Sequence, residues 1–213
     1  MNKVIDLTQV LKDGMLVFPG DPCPEFKTAH RYDNGYFVSV LTICTHTGTH
    51  VDAPVHRIEG KKTLTDLSAD RYIGWKTLVM DFPNMGKGGV LSRADCNGYE
   101  QDIDGCDAVL VRTGWGRFAG KAEYYDGFPG LDEGAADWLL AHRIRLIALE
   151  SPSVNPQKHL EIHKKLLENE ILIVEGLVNT ELLKSKYVEL HAVPLKLDRL
   201  DGSPVRAYAV ERN

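Results

Sequence analysis

The chain has 213 residues, 43% hydrophobic and 26% charged, with a formal net charge of −5. That length supports one large domain with a substantial core, and the composition is that of an ordinary folded protein. The acidic balance, with basic residues in short pairs such as Lys61-Lys62 and Lys164-Lys165, argues against a general nucleic-acid surface, which needs clustered positive charge.

The opening MNKVIDLTQVLKDG has no apolar h-region or small-residue cleavage site, so no secretory signal is expected. No apolar run reaches the roughly 20 residues that span a bilayer. Cys23, Cys44, Cys96 and Cys106 form no CxxC pair, which argues against a thiolate knuckle or redox motif. A cytoplasmic protein with free thiols is the expectation.

Val4–Thr8, Tyr36–Cys44 and Lys76–Phe82 read as strands, parted by turns such as Phe18-Pro19-Gly20-Asp21-Pro22. Residues 83–105 read as irregular, with a short helix begun by Ser92. From Asp107 the signal sharpens. Asp107–Arg112 is a buried strand, and Leu131–His142 a helix with acids early and Ala135, Trp138 and Leu139 on one face. Arg145–Glu150 is a strand, Lys158–Asn169 a helix and Ile171–Glu175 a strand, which together imply a locally parallel sheet covered by helices. No repeat or linker divides the chain. The expectation is one α/β domain over 1–213, with a β-rich N-terminal half and a βαβαβ C-terminal half.

The informative segment is His46-Thr-Gly-Thr-His50-Val-Asp52-Ala-Pro-Val-His56. Three of the eight histidines and one aspartate fall within it, all at even positions. Alternate side chains of an extended chain share a face, so the four can project toward a common point. A helix is disfavoured by Thr47, Gly48, Thr49, Val51 and Pro54. Imidazole and carboxylate are the usual ligands of zinc and related divalent ions. One such histidine would be unremarkable; four groups at this spacing point to a metal site.

The string HTGTHVDAPVH resembles the HxGTHxDxPxH signature of the cyclase family, which includes bacterial kynurenine formamidases and isatin hydrolases. Phe18-Pro-Gly-Asp21, Arg112-Thr-Gly-Trp115, Ser151-Pro-Ser153, His163-Lys-Lys-Leu-Leu167, Val174-Glu175-Gly-Leu177, Ala192-Val-Pro-Leu195 and Gly202-Ser-Pro-Val-Arg206 are similar to further family segments, so the resemblance runs nearly the whole length. It implies a swivelling β/β/α arrangement, a homodimer or higher homo-oligomer, and a small-molecule amide substrate. It implies that His46, His50 and Asp52 bind one metal, that Asp52 can bridge to a second, and that His163 and Glu175 complete the site. Glu175 ends an apolar strand, where a carboxylate is costly to bury without a cation or donor. His159, one turn before His163, competes with it by spacing alone; the HxxLL match selects His163.

The reaction so implied is hydrolysis of a C–N bond by a metal-activated water, with His56 as proton shuttle. Zinc, one or two per chain, is the default ion and manganese the alternative. N-formylkynurenine is the leading substrate. Phe18, a substrate-binding candidate, stands where kynurenine formamidases carry Trp, which opens the choice to a cyclic amide of the isatin type. The rivals are a non-catalytic metal-binding protein and a serine hydrolase using Ser151 or Ser153, although no G-x-S-x-G elbow is present.

Overall fold

The computed structural model describes residues 2–32 and 35–212. In chain order the elements are β1 (Lys3–Asp6), β2 (Glu25–Arg31), β3 (Phe37–Thr42), β4 (His50–Asp52), β5 (Trp75–Asp81), β6 (Val90–Leu91), α1 (Arg93–Asn97), β7 (Ala108–Arg112), β8 (Gly130–Leu131), α2 (Glu133–Ala141), β9 (Leu146–Leu149), α3 (His159–Glu168), β10 (Leu172–Glu175), β11 (Tyr187–Pro194) and β12 (Gly202–Glu211). Short 3-10 turns join several of them, including Pro54–His56. No helix among the described residues is long and apolar enough to cross a membrane.

Seven strands close into a barrel in the order β12-β11-β5-β7-β9-β10-β4, with β4 returning to pair with β12. The parallel segment is β5-β7-β9-β10. Its strands are buried on both faces, which is why they read as continuous apolar runs. Alternation divides them. Ala108, Leu110, Leu146, Ala148, Leu172 and Val174 join one core with Ala192, Ala207 and Ala209, whose small side chains suit a narrow barrel interior. Val109, Val111, Ile147, Leu149 and Ile173 face the other way, onto Trp138 and Leu139 of α2 and Ile162, Leu166 and Leu167 of α3.

Helix α2 starts at Asp132, whose Oδ1 accepts the Ala135 N–H at 2.8 Å, an N-cap that satisfies one of the helix's free donors. Helix α1 starts at Ser92 with a reciprocal capping box to Asp95. Both helices match the expected positions. In α3 the buried stripe is Ile162, His163, Leu166 and Leu167, so an imidazole sits on the apolar face, toward β10.

Three features differ from the expectation. Strand β5 joins the parallel set instead of a separate β-rich half. The C-terminal half continues past βαβαβ into β11 and β12, the two longest strands of the barrel, which the Pro and Gly residues at 194, 202 and 204 obscure in the sequence. The ribbon β2–β3, of which only the second strand was expected, stands apart from the barrel with every residue exposed.

Candidate metal centre

Strand β4 is only three residues long, but it is the strand on which the barrel closes. His50 lies opposite Glu175 on β10 and Pro204 on β12, while Asp52 lies opposite Ile173 and Gly202. Side chains two apart on a strand share a face, so His50 and Asp52 point together. The even spacing explains only this pair. His46 arrives by a turn in which Gly48 takes φ +67°, and His56 by the 3-10 turn that Pro54 opens. His163 comes from α3 and Glu175 from the end of β10.

All six residues meet. His50 Nε2 lies 3.4 Å from Asp52 Oδ1 and 3.4 Å from Glu175 Oε2. His163 Nε2 lies 3.4 Å from Asp52 Oδ2 and 3.2 Å from Glu175 Oε1. His46 Nδ1 lies 2.9 Å from Asp52 Oδ1. Two donor groups share Asp52: His50, Asp52 and Glu175, and His46, Asp52 and His56, with the ligand atoms of each within 4.8 Å of one another. By distance alone, then, His56 also qualifies as a donor. His159 does not enter the cluster. Its carbonyl accepts a hydrogen bond from His163 Nδ1 at 2.7 Å, and its ring lies against Phe18.

The centre fits a cation. His50, Asp52, His163 and Glu175 are each at most 6% exposed. Both oxygens of Asp52 and Oε1 of Glu175 are buried without a hydrogen-bond donor, a costly state for a carboxylate unless positive charge lies beside it. The imidazoles are set for that role. His163 Nδ1 donates to His159 O, and His50 Nδ1 donates to Gly48 O at 3.0 Å, so in the neutral form of each ring the lone pair is on Nε2, toward the carboxylates.

Electrostatics say the same. Burial works against charge on His46, yet Asp52 and Asp201 raise its pKa to about 11. Burial likewise opposes charge on His163, and Asp52 and Glu175 raise it to about 10. Burial raises the Asp52 carboxyl, but the neighbouring imidazoles, His46 foremost, hold it well below the ordinary range. Burial and Asp52 push Glu175 up, and His163 and His50 outweigh them. The pocket demands positive charge, which protons or metal ions can meet.

Asp201, just before β12, was missed in the sequence. Its Oδ2 accepts from His46 Nε2 at 2.9 Å and His56 Nδ1 at 3.2 Å, and its Oδ1 from Thr45 Oγ1 at 3.1 Å. The His46 and His56 bonds hold its carboxyl below the usual range despite burial. Nothing in the local pattern marks it, because it comes from a loop far from the histidine motif.

Other candidates take structural places. Buried Glu150 accepts from Thr113 N at 2.7 Å, Thr113 Oγ1 at 2.9 Å and Trp115 N at 2.9 Å, and pairs with Thr180, so it clasps the Arg112–Trp115 turn. Ser151 Oγ donates to Pro129 O at 2.7 Å, bonded to a carbonyl and not to a base. Trp75, Trp115 and Trp138 are core residues. Phe18 is half-buried, edge-on to Tyr125 at 6.2 Å between centroids and 6.4 Å from His159. The four cysteines are free thiols.

The Cyclase family model matches residues 5–156. Among curated relatives, a kynurenine formamidase of Erythrobacter litoralis is 35% identical over 213 residues, covering 98% of this chain and 94% of that protein. One of Geobacillus thermodenitrificans is 35% identical over 211 residues, covering 97% of each. Among solved structures, isatin hydrolase A from Labrenzia aggregata shares the fold with a TM-score of 0.90 at 23% identity, over 100% of this chain and 94% of that one. A protein from Bacillus stearothermophilus described as a predicted metal-dependent hydrolase superposes with a TM-score of 0.82 at 26% identity, over 100% of both chains.

Proposed function

The chain belongs to the cyclase family, and on that premise we propose that it is a metal-dependent hydrolase of a C–N bond in a small aromatic amide, with N-formylkynurenine as the leading substrate. The observation that carries this reading is the convergence of His50, Asp52, His163 and Glu175 around carboxylate oxygens that lack any donor.

In this reading His46, His50 and Asp52 would hold one divalent ion, and His163 and Glu175 would complete the site together with Asp52. A divalent ion held there would lower the pKa of a bound water toward neutrality and would polarise a carbonyl oxygen. Zinc suits the nitrogen donors, and manganese the shared carboxylates. His56 accepts the proton of the attacking water and returns it to the departing nitrogen. The C–O bond forms first, at the carbonyl carbon, and the C–N bond breaks as that adduct collapses, giving formate and an aryl amine from a formamide. His56 suits this task because its side chain is 29% exposed, whereas those of His50 and His163 are under 10%. Phe18 offers an apolar face beside Tyr125 and His159 for an aromatic ring.

A cyclic amide of the isatin type is the second reading, favoured by Phe18 in the place of the larger Trp. The experiment is to assay the purified protein on N-formylkynurenine and on isatin, as isolated, after chelation, and after return of zinc or manganese. Turnover of the formamide that vanishes on chelation and returns with the ion supports the leading reading. Turnover of isatin alone selects the second. A protein that holds its ions and hydrolyses neither these nor other small amides is a binding protein, and one that works equally well when stripped ends the metal-dependent reading. The proposal includes a homo-oligomer, supported by the exposed apolar side chains of the β2–β3 ribbon, Phe26, Phe37, Val38, Val40 and Leu41. Sedimentation of the whole chain tests it.

A further inference from the structure

We propose that Asp201 is the positioning residue that fixes the tautomers of two imidazoles at once, keeping the His46 proton on Nε2 and the His56 proton on Nδ1. His46 then turns the lone pair of Nδ1 toward Asp52 and the ion, and His56 keeps Nε2 free to take up and release the reacting proton. The inference rests on the reading of the centre given above and adds to it a residue outside the histidine motif.

The geometry follows from one oxygen. Asp201 Oδ2 is within hydrogen-bond distance of both His46 Nε2 and His56 Nδ1. An ionised carboxylate can only accept, so the ring nitrogens that face Asp201 carry the hydrogen, and His46 Nδ1, 2.9 Å from Asp52 Oδ1, is the nitrogen left for the ion. The two rings are packed together, their centroids 4.0 Å apart, so neither can turn without disturbing the other. Each of the four imidazoles therefore has a fixed acceptor. His50 and His163 use backbone carbonyls, of Gly48 and His159, while His46 and His56 share Asp201. A carbonyl on Nδ1 selects Nε2 as the ligand atom in the first pair. In His46 the acceptor lies on Nε2, and the opposite nitrogen becomes the ligand atom.

Asp201 is itself held from several sides. Thr45, the residue before His46, donates its hydroxyl to Oδ1, and the backbone carbonyl of Asp201 accepts the Ala53 N–H at 2.8 Å. The next residue is Gly202, where a Cβ would stand 2.8 Å from His46 Cε1 and 3.2 Å from Nε2. The Asp201-Gly202 pair thus forms a seat for the His46 ring: the carboxylate binds its edge, and the missing side chain leaves room for it.

The test uses whole protein labelled with ¹⁵N-histidine and loaded with zinc, which is diamagnetic. Long-range ¹H–¹⁵N spectra, assigned with His46→Gln and His56→Gln, report which nitrogen of each ring bears hydrogen. The wild type should show Nε2–H for His46 and Nδ1–H for His56, His50 and His163. Asp201→Ala removes the one oxygen that accepts from both rings, so the His46 and His56 patterns should change while those of His50 and His163 stay. On a hydrolysed substrate, kcat should fall about 100-fold or more with little change in KM, and Asp201→Glu should restore part of it. The opposite tautomers in the wild type, or Asp201→Ala spectra identical to wild type, overturn the proposal. The wild-type spectrum decides even if a variant fails to fold. A protein with the expected tautomers that hydrolyses no amide refutes the functional reading and leaves this one standing.

Discussion

Glu175 and His50 face each other across the antiparallel pairing of β10 with β4, and their side chains approach to 3.4 Å. A one-residue slip in this register would turn one of the two away from the centre. The geometry of the site is therefore a consequence of strand pairing, and its parts can be tested separately.

Glu175→Gln keeps the volume of the side chain and removes its charge. The expected outcome is a folded protein that has lost at least one ion per chain by elemental analysis. A full complement of ions in this variant would remove Glu175 from the ligand set.

His56→Ala should retain the ions and lose about 100- to 10,000-fold in kcat, the usual range for general acid–base help. Counting ions and measuring turnover on the same sample separates the two places that geometry allows. Ions lost together with activity would make His56 a ligand and not the shuttle.

Removal of the ions should give stability an unusual pH profile. In the ion-free protein His46 and His163 have pKa values raised to about 11 and about 10 from 6.5. Groups raised on folding stabilise fully below the unfolded value, so this contribution is complete below 6.5 and lost as pH climbs through 10 and 11. Asp52 and Glu175 are lowered from 3.8 and 4.5, so theirs is complete above those values and lost in acid. The thermal midpoint of the stripped protein should peak between pH 4.5 and 6.5 and decline toward alkaline pH. A midpoint that rises steadily from about pH 6 to 9 would contradict this balance.

Gly176 has φ +76°, and a Cβ there would lie 2.6 Å from the Gly48 carbonyl oxygen. Gly176→Ala should cost more than the about 1–2 kcal/mol of left-handed strain alone, and about 2–4 °C in Tm per kcal/mol for a chain of this size. Gly60→Ala is the control, with the same φ and nothing near its Cβ. Equal losses in the two variants would show that the contact with Gly48 costs nothing.

Phe18→Ala should raise KM for an aromatic amide and leave ion content unchanged. If Phe18 only packs on Tyr125, the variant will lower Tm with KM untouched.

Much of the centre was legible because its chemistry is concentrated: His46, His50, Asp52 and His56 lie within one segment, and their residue types admit few uses. The parallel strands β7, β9 and β10 and the helices between them were legible from apolar runs and capping residues. Period-2 spacing, however, accounts only for His50 and Asp52, because Gly48 and Pro54 bend the backbone on either side. Strands β11 and β12 were hidden by their prolines and small residues, and with them went the closure of the barrel. Asp201 was invisible for the same reason. A lone aspartate before a glycine reads as a turn until β12 is known to lie beside β4.

The double pairing of β4 also bears on how the protein comes into being during synthesis. Every residue proposed as a ligand has left the ribosome's catalytic centre once Glu175 is added, yet β4 has its second neighbour only when residues 202–204 are in place. The donor set is thus complete in sequence before the strand that encloses it. The cage around those residues is closed only when the downstream strand docks on β4.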